Sequence, residues 1–286
     1  MNERAVSFSW HWHPHPDVWL VLGGVVIAYL AAIRWLGPKR ADLGEPPATR
    51  GQKALFLTGM AVLFVGADWP MHDLSERYLF SFHMLQHTLF SLVAPPLLLA
   101  GMPPWMLRML IPRRLMGLLR VVTRPLIAFL LFNVTIVLTH WPPVVDAALE
   151  SELAHFGIHV GLVGISLLMW WPVIDPLPET KRLSEPAKML YLFGHSILPT
   201  VPASFITFSS TPLYDSYARF PRLWGLSVID DQRIAGLIMK ILGGLLLWSA
   251  IAFIFFRWNT TEEGEQPEPM TWEDFERELE AWEMRR

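Results

Sequence analysis

LFSFHMLQHTLFSLVAPPLLLA, residues 79–100, contains no Asp, Glu, Lys or Arg. As a helix rising about 1.5 Å per residue it reaches about 33 Å, enough to cross the hydrocarbon core of a bilayer. Pro95 and Pro96 break the backbone hydrogen-bond ladder, so neighbouring helices or hydroxyls must take up the freed carbonyls. Six further apolar stretches read the same way: 18–36, 51–69, 125–140, 153–173, 189–208 and 234–256. The second and fourth of the seven, 51–69 and 125–140, are the weakest. The pattern predicts an all-α polytopic membrane protein, a seven-transmembrane-helix bundle.

Composition supports lipid as the solvent. The 286 residues are 52% hydrophobic and only 17% charged, with a mean hydropathy of +0.34. Soluble domains carry nearer a quarter charged residues. Apolar stretches fill most of the chain, giving an N-terminal segment (1–17), a membrane domain (18–256) and an acidic tail (257–286). Residues 1–17 are polar and aromatic and do not read as a cleavable signal peptide. The net charge of −3 says little about partners, and no basic run argues for nucleic acid, so no nucleic-acid partner is expected. There is no cysteine, so disulfides and thiolate chemistry are excluded, and a transition metal must be held by His, Met, Asp or Glu. No nucleophile-and-base set, phosphate loop or acid pair points to an enzyme.

Lys and Arg set the expected orientation. Arg34, Lys39, Arg40, Arg50 and Lys53 follow the first stretch, Arg108, Arg113, Arg114, Arg120 and Arg124 the third, and Lys181, Arg182 and Lys188 the fifth. The alternate connections are poor, holding Arg4, Arg77, none, and Arg219, Arg222 and Arg233. The N-terminus is therefore expected outside and the C-terminus in the cytoplasm of a multi-pass cell-membrane protein. Beyond Phe256, residues 260–269 read as a linker. Residues 271–286 read as a short helix opened by Thr271 and Asp274, with Trp272, Phe275, Leu279 and Trp282 on one face toward a membrane surface or a partner.

On this topology nine of ten histidines share the outer side. His11, His13 and His15 precede the first stretch, and His72 lies in the loop after the second. His83 and His87 sit in the outer half of the third, His140 ends the fourth, and His155 and His159 begin the fifth. His195 alone lies deeper. His83/His87 and His155/His159 are spaced i, i+4, on one helical face each, where two imidazoles can face one metal ion. Ionisable groups inside a membrane are costly and mark function by default. We expect His83, His87, His155 and His159 as metal ligands. Asp68, His72, His140 and Met84 are alternates or supporting groups, Met84 turned off the histidine face, and His11, His13 and His15 are weaker candidates. Imidazole and thioether without thiolate suit copper. Lys240 is a separate intramembrane cation in the last stretch.

Residues 80–104, FSFHMLQHTLFSLVAPPLLLAGMPP, resemble the signature of the seven-helix CtaG family of cytochrome c oxidase assembly factors, in which SxHMxQH runs into a double-proline segment. LTHWPPVVDAAL with His155 and His159, then WWPVIDPLP, then TPLYDSYA with DDQRIAGLIMK are similar in family order, so the resemblance covers about 19–256. It implies a role in respiratory chain biogenesis, through copper handling or delivery to a haem-copper oxidase, with oxidase subunits or a copper donor protein as partners. Two other readings remain open from the residues. One is a membrane cytochrome with haem held between His of the third and fifth stretches. The other is a metal-free transporter or structural membrane protein.

Overall fold

The computed structural model describes residues 8, 10–180, 182–265 and 272–284, and the described residues are helical with no strand. Arg4, Lys181, Thr271 and residues 266–269 of the expected linker lie outside them. The labelled helices are α1 (Pro16–Trp35), α2 (Arg50–Ala67), α3 (Met71–Arg77), α4 (Phe80–Gly101), α5 (Pro125–Thr139), α6 (Pro142–Leu149), α7 (Glu152–Ile174), α8 (Glu185–Phe208), α9 (Val228–Thr261) and α10 (Trp272–Glu283).

Five of these helices, α1, α4, α7, α8 and α9, are long and apolar enough to cross a membrane by themselves. The two weakest sequence stretches are the two that need help. Helix α2 reaches span length only with α3, bent from it by 42°, and α5 only with the preceding Arg113–Val122 segment, bent by 78°. With each bent pair taken as one span the total reaches seven. Helix α5 has 15 residues, or about 22 Å, short of a hydrocarbon core of about 30 Å.

Local chemistry explains the ends. Thr49 and Gln52 form a reciprocal capping box on α2. Pro16, Pro125 and Pro142 open α1, α5 and α6, where a missing N–H costs nothing. Ser151 accepts from the Ala154 N–H to cap α7, which ends where Asp175 turns left-handed at φ 51°. Helix α4 has no cap of its own. Asp231 of α9 accepts from the Phe80 N–H (2.8 Å), the Ser81 N–H (3.0 Å) and the Ser81 hydroxyl (2.6 Å).

The core centres on α4, the most enclosed of the spans. Its C-terminal half closes on α2 through glycine: a Cβ at Gly101 would collide with the Phe56 backbone, and one at Gly59 would meet Leu98 at 2.9 Å. Tyr29 of α1 stacks on Phe56 and donates to the Gly101 carbonyl at 2.8 Å. Midway, residues Leu89–Val93 widen into a π-helical turn, and Ile238–Leu242 of α9 do the same. The Ser91 hydroxyl donates to the His87 carbonyl and Trp170 donates to the Ser91 carbonyl, so the loosened turn keeps its hydrogen bonds.

Three expectations change. His72 is not in a loop but in α3. The connection after His140 holds helix α6. The stretch read as a linker from Thr260 is helical through Glu265, because the last spanning helix continues beyond its apolar part. Trp272, Phe275, Leu279 and Trp282 are exposed along α10.

Candidate metal centre

The histidines of α4 and α7 face one another. His83 and His87 are each 5% exposed and His155 is 6% exposed, deep burial for groups that hydrogen-bond strongly to water. Their rings form a row. His15 stands 4.9 Å from His72, His72 6.2 Å from His155, and His155 6.0 Å from His83. His83 lies 4.1 Å from His87 and His155 4.2 Å from His159 along their own helices. Across the helices, His87 lies 5.4 Å from His159 and 5.5 Å from His140.

Two imidazoles bound to one ion at about 2 Å place their ring centres about 5 to 6.5 Å apart. The cross-helix pairs have that spacing, and the i, i+4 neighbours are closer than it. Among the described residues no three His, Asp or Glu side chains converge as a closed shell. The helices present their pairs side by side, so His83, His87, His155 and His159 form a four-ring cluster, with His83 also 6.4 Å from His159, in the middle of a row that His15 and His72 begin and His140 ends.

Several ring nitrogens in this region have no hydrogen-bond partner among the described residues although they are buried: His83 Nδ1, both nitrogens of His87, His159 Nε2 and His195 Nε2. Buried polar atoms are ordinarily satisfied, and each exception asks for a cause. His140 is oriented differently. Its Nδ1 lies 2.7 Å from the Ile136 carbonyl, which can only accept, so Nδ1 carries the proton and Nε2 holds the lone pair. His195 is the opposite case. Asn133 Nδ2, 3.2 Å away, meets its Nδ1, which leaves the proton on Nε2 and makes His195 a donor rather than a ligand.

Glu76 is the residue that sequence reading missed. Its Oε1 lies 2.6 Å from His155 Nε2 and 3.2 Å from His72 Nε2, so one carboxylate ties α3 to the head of the row. The signal was present, since His72 and Glu76 are spaced i, i+4. Asp68 is buried outside the α4/α7 row and holds His15 instead, accepting from its Nδ1 at 3.0 Å and from Trp19 Nε1 at 3.1 Å. Met84 packs with Phe80, Tyr214 and Tyr217 and also lines the cavity beside His87. His11 is exposed, whereas His13 and His15 reach Asp73. At the far end of the row a cavity of about 60 Å³ is lined by His87, His140, His195, Ser91, Thr200 and Lys240.

The profile of the cytochrome c oxidase caa3 assembly factor family, CtaG, matches residues 27–261. The chain belongs to that family. The CtaG match takes in α2 to α9, and with them every histidine of the row but His15, which precedes it. The chain is also 25% identical, over 254 residues, to the uncharacterized proteins Mb0105 of Mycobacterium bovis and MT0111 of Mycobacterium tuberculosis. That alignment covers 82% of this chain and 38% of each relative, so the chain spans about two fifths of the proteins it matches. No solved structure gives a significant match.

Proposed function

We propose that this CtaG-family chain supports oxidase assembly by holding and passing copper along the histidine row, at the outer side of the cell membrane. Copper is cargo in this reading. The observation that carries it is the set of buried, unpartnered ring nitrogens on His83, His87 and His159. A protein with no use for those lone pairs would be more stable with apolar residues there. Neutral imidazoles without thiolate bind copper while leaving it exchangeable. Overlapping ring pairs allow an ion to move by replacing one ligand at a time. Glu76 steadies the outer end, and Lys240 places a cation at the inner end, where it opposes further travel of a positive ion. An axial haem pair fits less well, because the cavity beside His87 is about 60 Å³ and cofactor pockets run to about 300–1,000 Å³. The partners on this reading are oxidase subunits or a copper donor protein.

The test is His87→Ala and His159→Ala, made separately in the full chain. Copper bound by the purified protein and oxidase activity in cells should both fall while the level of the protein in the membrane holds. Unchanged copper and unchanged oxidase maturation would make these histidines packing residues. Orientation is tested apart from this, with a single Cys at exposed Ala147 in a chain that has no other. It should label from outside intact cells, and labelling only after lysis would invert the topology.

A further inference from the structure

Ahead of the row, the N-terminal segment folds over two buried carboxylates. Asp68 is 5% exposed and Asp73 is 4% exposed. Asp73 Oδ2 is a buried oxygen with no hydrogen-bond partner among the described residues. His15 Nε2 approaches that oxygen at 4.0 Å, and His13 Nδ1 approaches Oδ1 of the same carboxylate at 3.8 Å. The two histidines alternate with one residue between them, and an extended chain places such side chains on one face. Asp68 meanwhile takes the other nitrogen of His15. Accepting from Nδ1–H fixes the tautomer in which Nε2 carries a lone pair toward Asp73. A carboxylate behind an imidazole in this way is the usual support of a metal-ligating histidine.

We infer that His13, His15 and Asp73 form a second metal site, with Asp68 as the positioning residue of His15, and that it takes a divalent ion of borderline softness. Ligands about 2.0–2.2 Å from one ion stand about 3 to 3.6 Å apart. The N-to-O separations of 3.8 and 4.0 Å, each to a different oxygen of Asp73, are a few tenths of an ångström longer than that, and since no three such side chains already converge among the described residues, His13 has to swing in to complete the set. His13 supplies that freedom, being 54% exposed. Arg77 Nη1, 3.6 Å from Asp73 Oδ1, is the competing cation and is itself largely exposed. Two imidazoles and a carboxylate differ in kind from the row behind them. A nitrogen–oxygen set favours Cu(II) or Zn(II), whereas an all-imidazole row has no anionic oxygen beyond Glu76 at its head. The His15 ring, 4.9 Å from His72, joins the two sites. The inference rests on the proposed copper reading only in that the row receives what this site takes in.

The experiment uses the purified full-length protein in detergent with Zn(II) or Cu(II) as the probe. Binding is measured by equilibrium dialysis, and the Cu(II) form by electron paramagnetic resonance. Asp73→Asn and His15→Gln should each weaken binding of one equivalent at least tenfold and remove a mixed nitrogen–oxygen Cu(II) signal. Asp68→Asn should weaken the same equivalent by about 10–100-fold. His15→Gln lies before the first spanning helix, so its effect is separable from misfolding. The double variant His87→Ala/His159→Ala should keep the signal. Full binding by both Asp73→Asn and His15→Gln overturns the second site. If the double variant alone loses all bound metal, the row stands and this inference fails. If no form binds either ion, both readings fail.

Discussion

Two buried polar clusters meet on α4, and they are built on opposite principles. At the start of the helix Asp231 is 1% exposed and accepts three hydrogen bonds from Phe80 and Ser81. Arg222, also buried, sits 4.0 Å from it and donates to the Tyr78 and Tyr217 carbonyls. Less than two turns on, His87 is as well buried and neither of its ring nitrogens is partnered among the described residues. The first cluster does what a cap does, and its polar atoms answer one another except Arg222 Nη1, which has only the Asp231 charge 4.0 Å away. The second carries the cost of dehydrating imidazoles without the hydrogen bonds that offset it, which the proposed function explains as a site kept for a ligand.

The comparison predicts effects of opposite sign. Asp231→Ala should destabilise the protein by about 3–5 kcal/mol, since it strands the α4 amides and the Arg222 guanidinium. In a thermal melt of the detergent-solubilised protein that is a fall of roughly 6–15 °C. A fall of only a degree or two would break the contrast. His87→Leu should raise stability by about 1–2 kcal/mol by removing two unsatisfied atoms while abolishing the copper function. A clear loss of stability would put His87 in the structural cluster instead.

Glu76→Gln tests the boundary between the clusters, because Glu76 touches the row yet is anionic. Copper affinity should fall about tenfold with little change in melting temperature, measured by titration of the purified variant. The smallest effect is expected far from either cluster. At the arginine-rich end Arg108 bonds both Glu45 and Glu179, the latter at 2.6 Å. Burial pushes the Glu179 carboxyl up, but the Arg108 hydrogen bond outweighs it and holds the group below its ordinary value. A lowered carboxyl stabilises the fold above its unfolded-state pKa, and that contribution is lost as pH falls through the folded one. Glu179→Gln should therefore melt slightly lower than the parent at neutral pH and match it in acid. A difference that persists unchanged in acid would remove Arg108–Glu179 pairing as its cause.

The helices and the facing of α4 on α7 were legible because apolar length and i, i+4 spacing are local properties. His87 and His159 needed only those two facts to be placed together. Glu76 was readable in principle, but as part of a supposed loop its side chain had no assigned direction. Asp73 and Asp231 were not readable. Each acts on residues far away in sequence, His15 in one case and Ser81 in the other, and no periodicity records a cap supplied by another helix. The spacing of the four imidazoles across α4 and α7 was likewise invisible, since it depends on how two helices are offset along their axes.

The widened turn at Leu89–Val93 offsets the histidines from the face below it. Eleven residues make three α-helical turns with about 20° to spare. His83 and Ala94 are eleven apart, and so are His87 and Leu98. In an unbroken helix both histidines would lie above the face that Ala94 and Leu98 turn toward Gly59 of α2. The extra residue in the wide turn shifts the phase of everything above it by about 100°. The part above the turn then carries its imidazoles toward His155 and His159, while the part below it seats Leu98 against Gly59. Deleting a single residue from that turn would keep both sets of side chains and swing the histidines back over α2, out of register with His155 and His159.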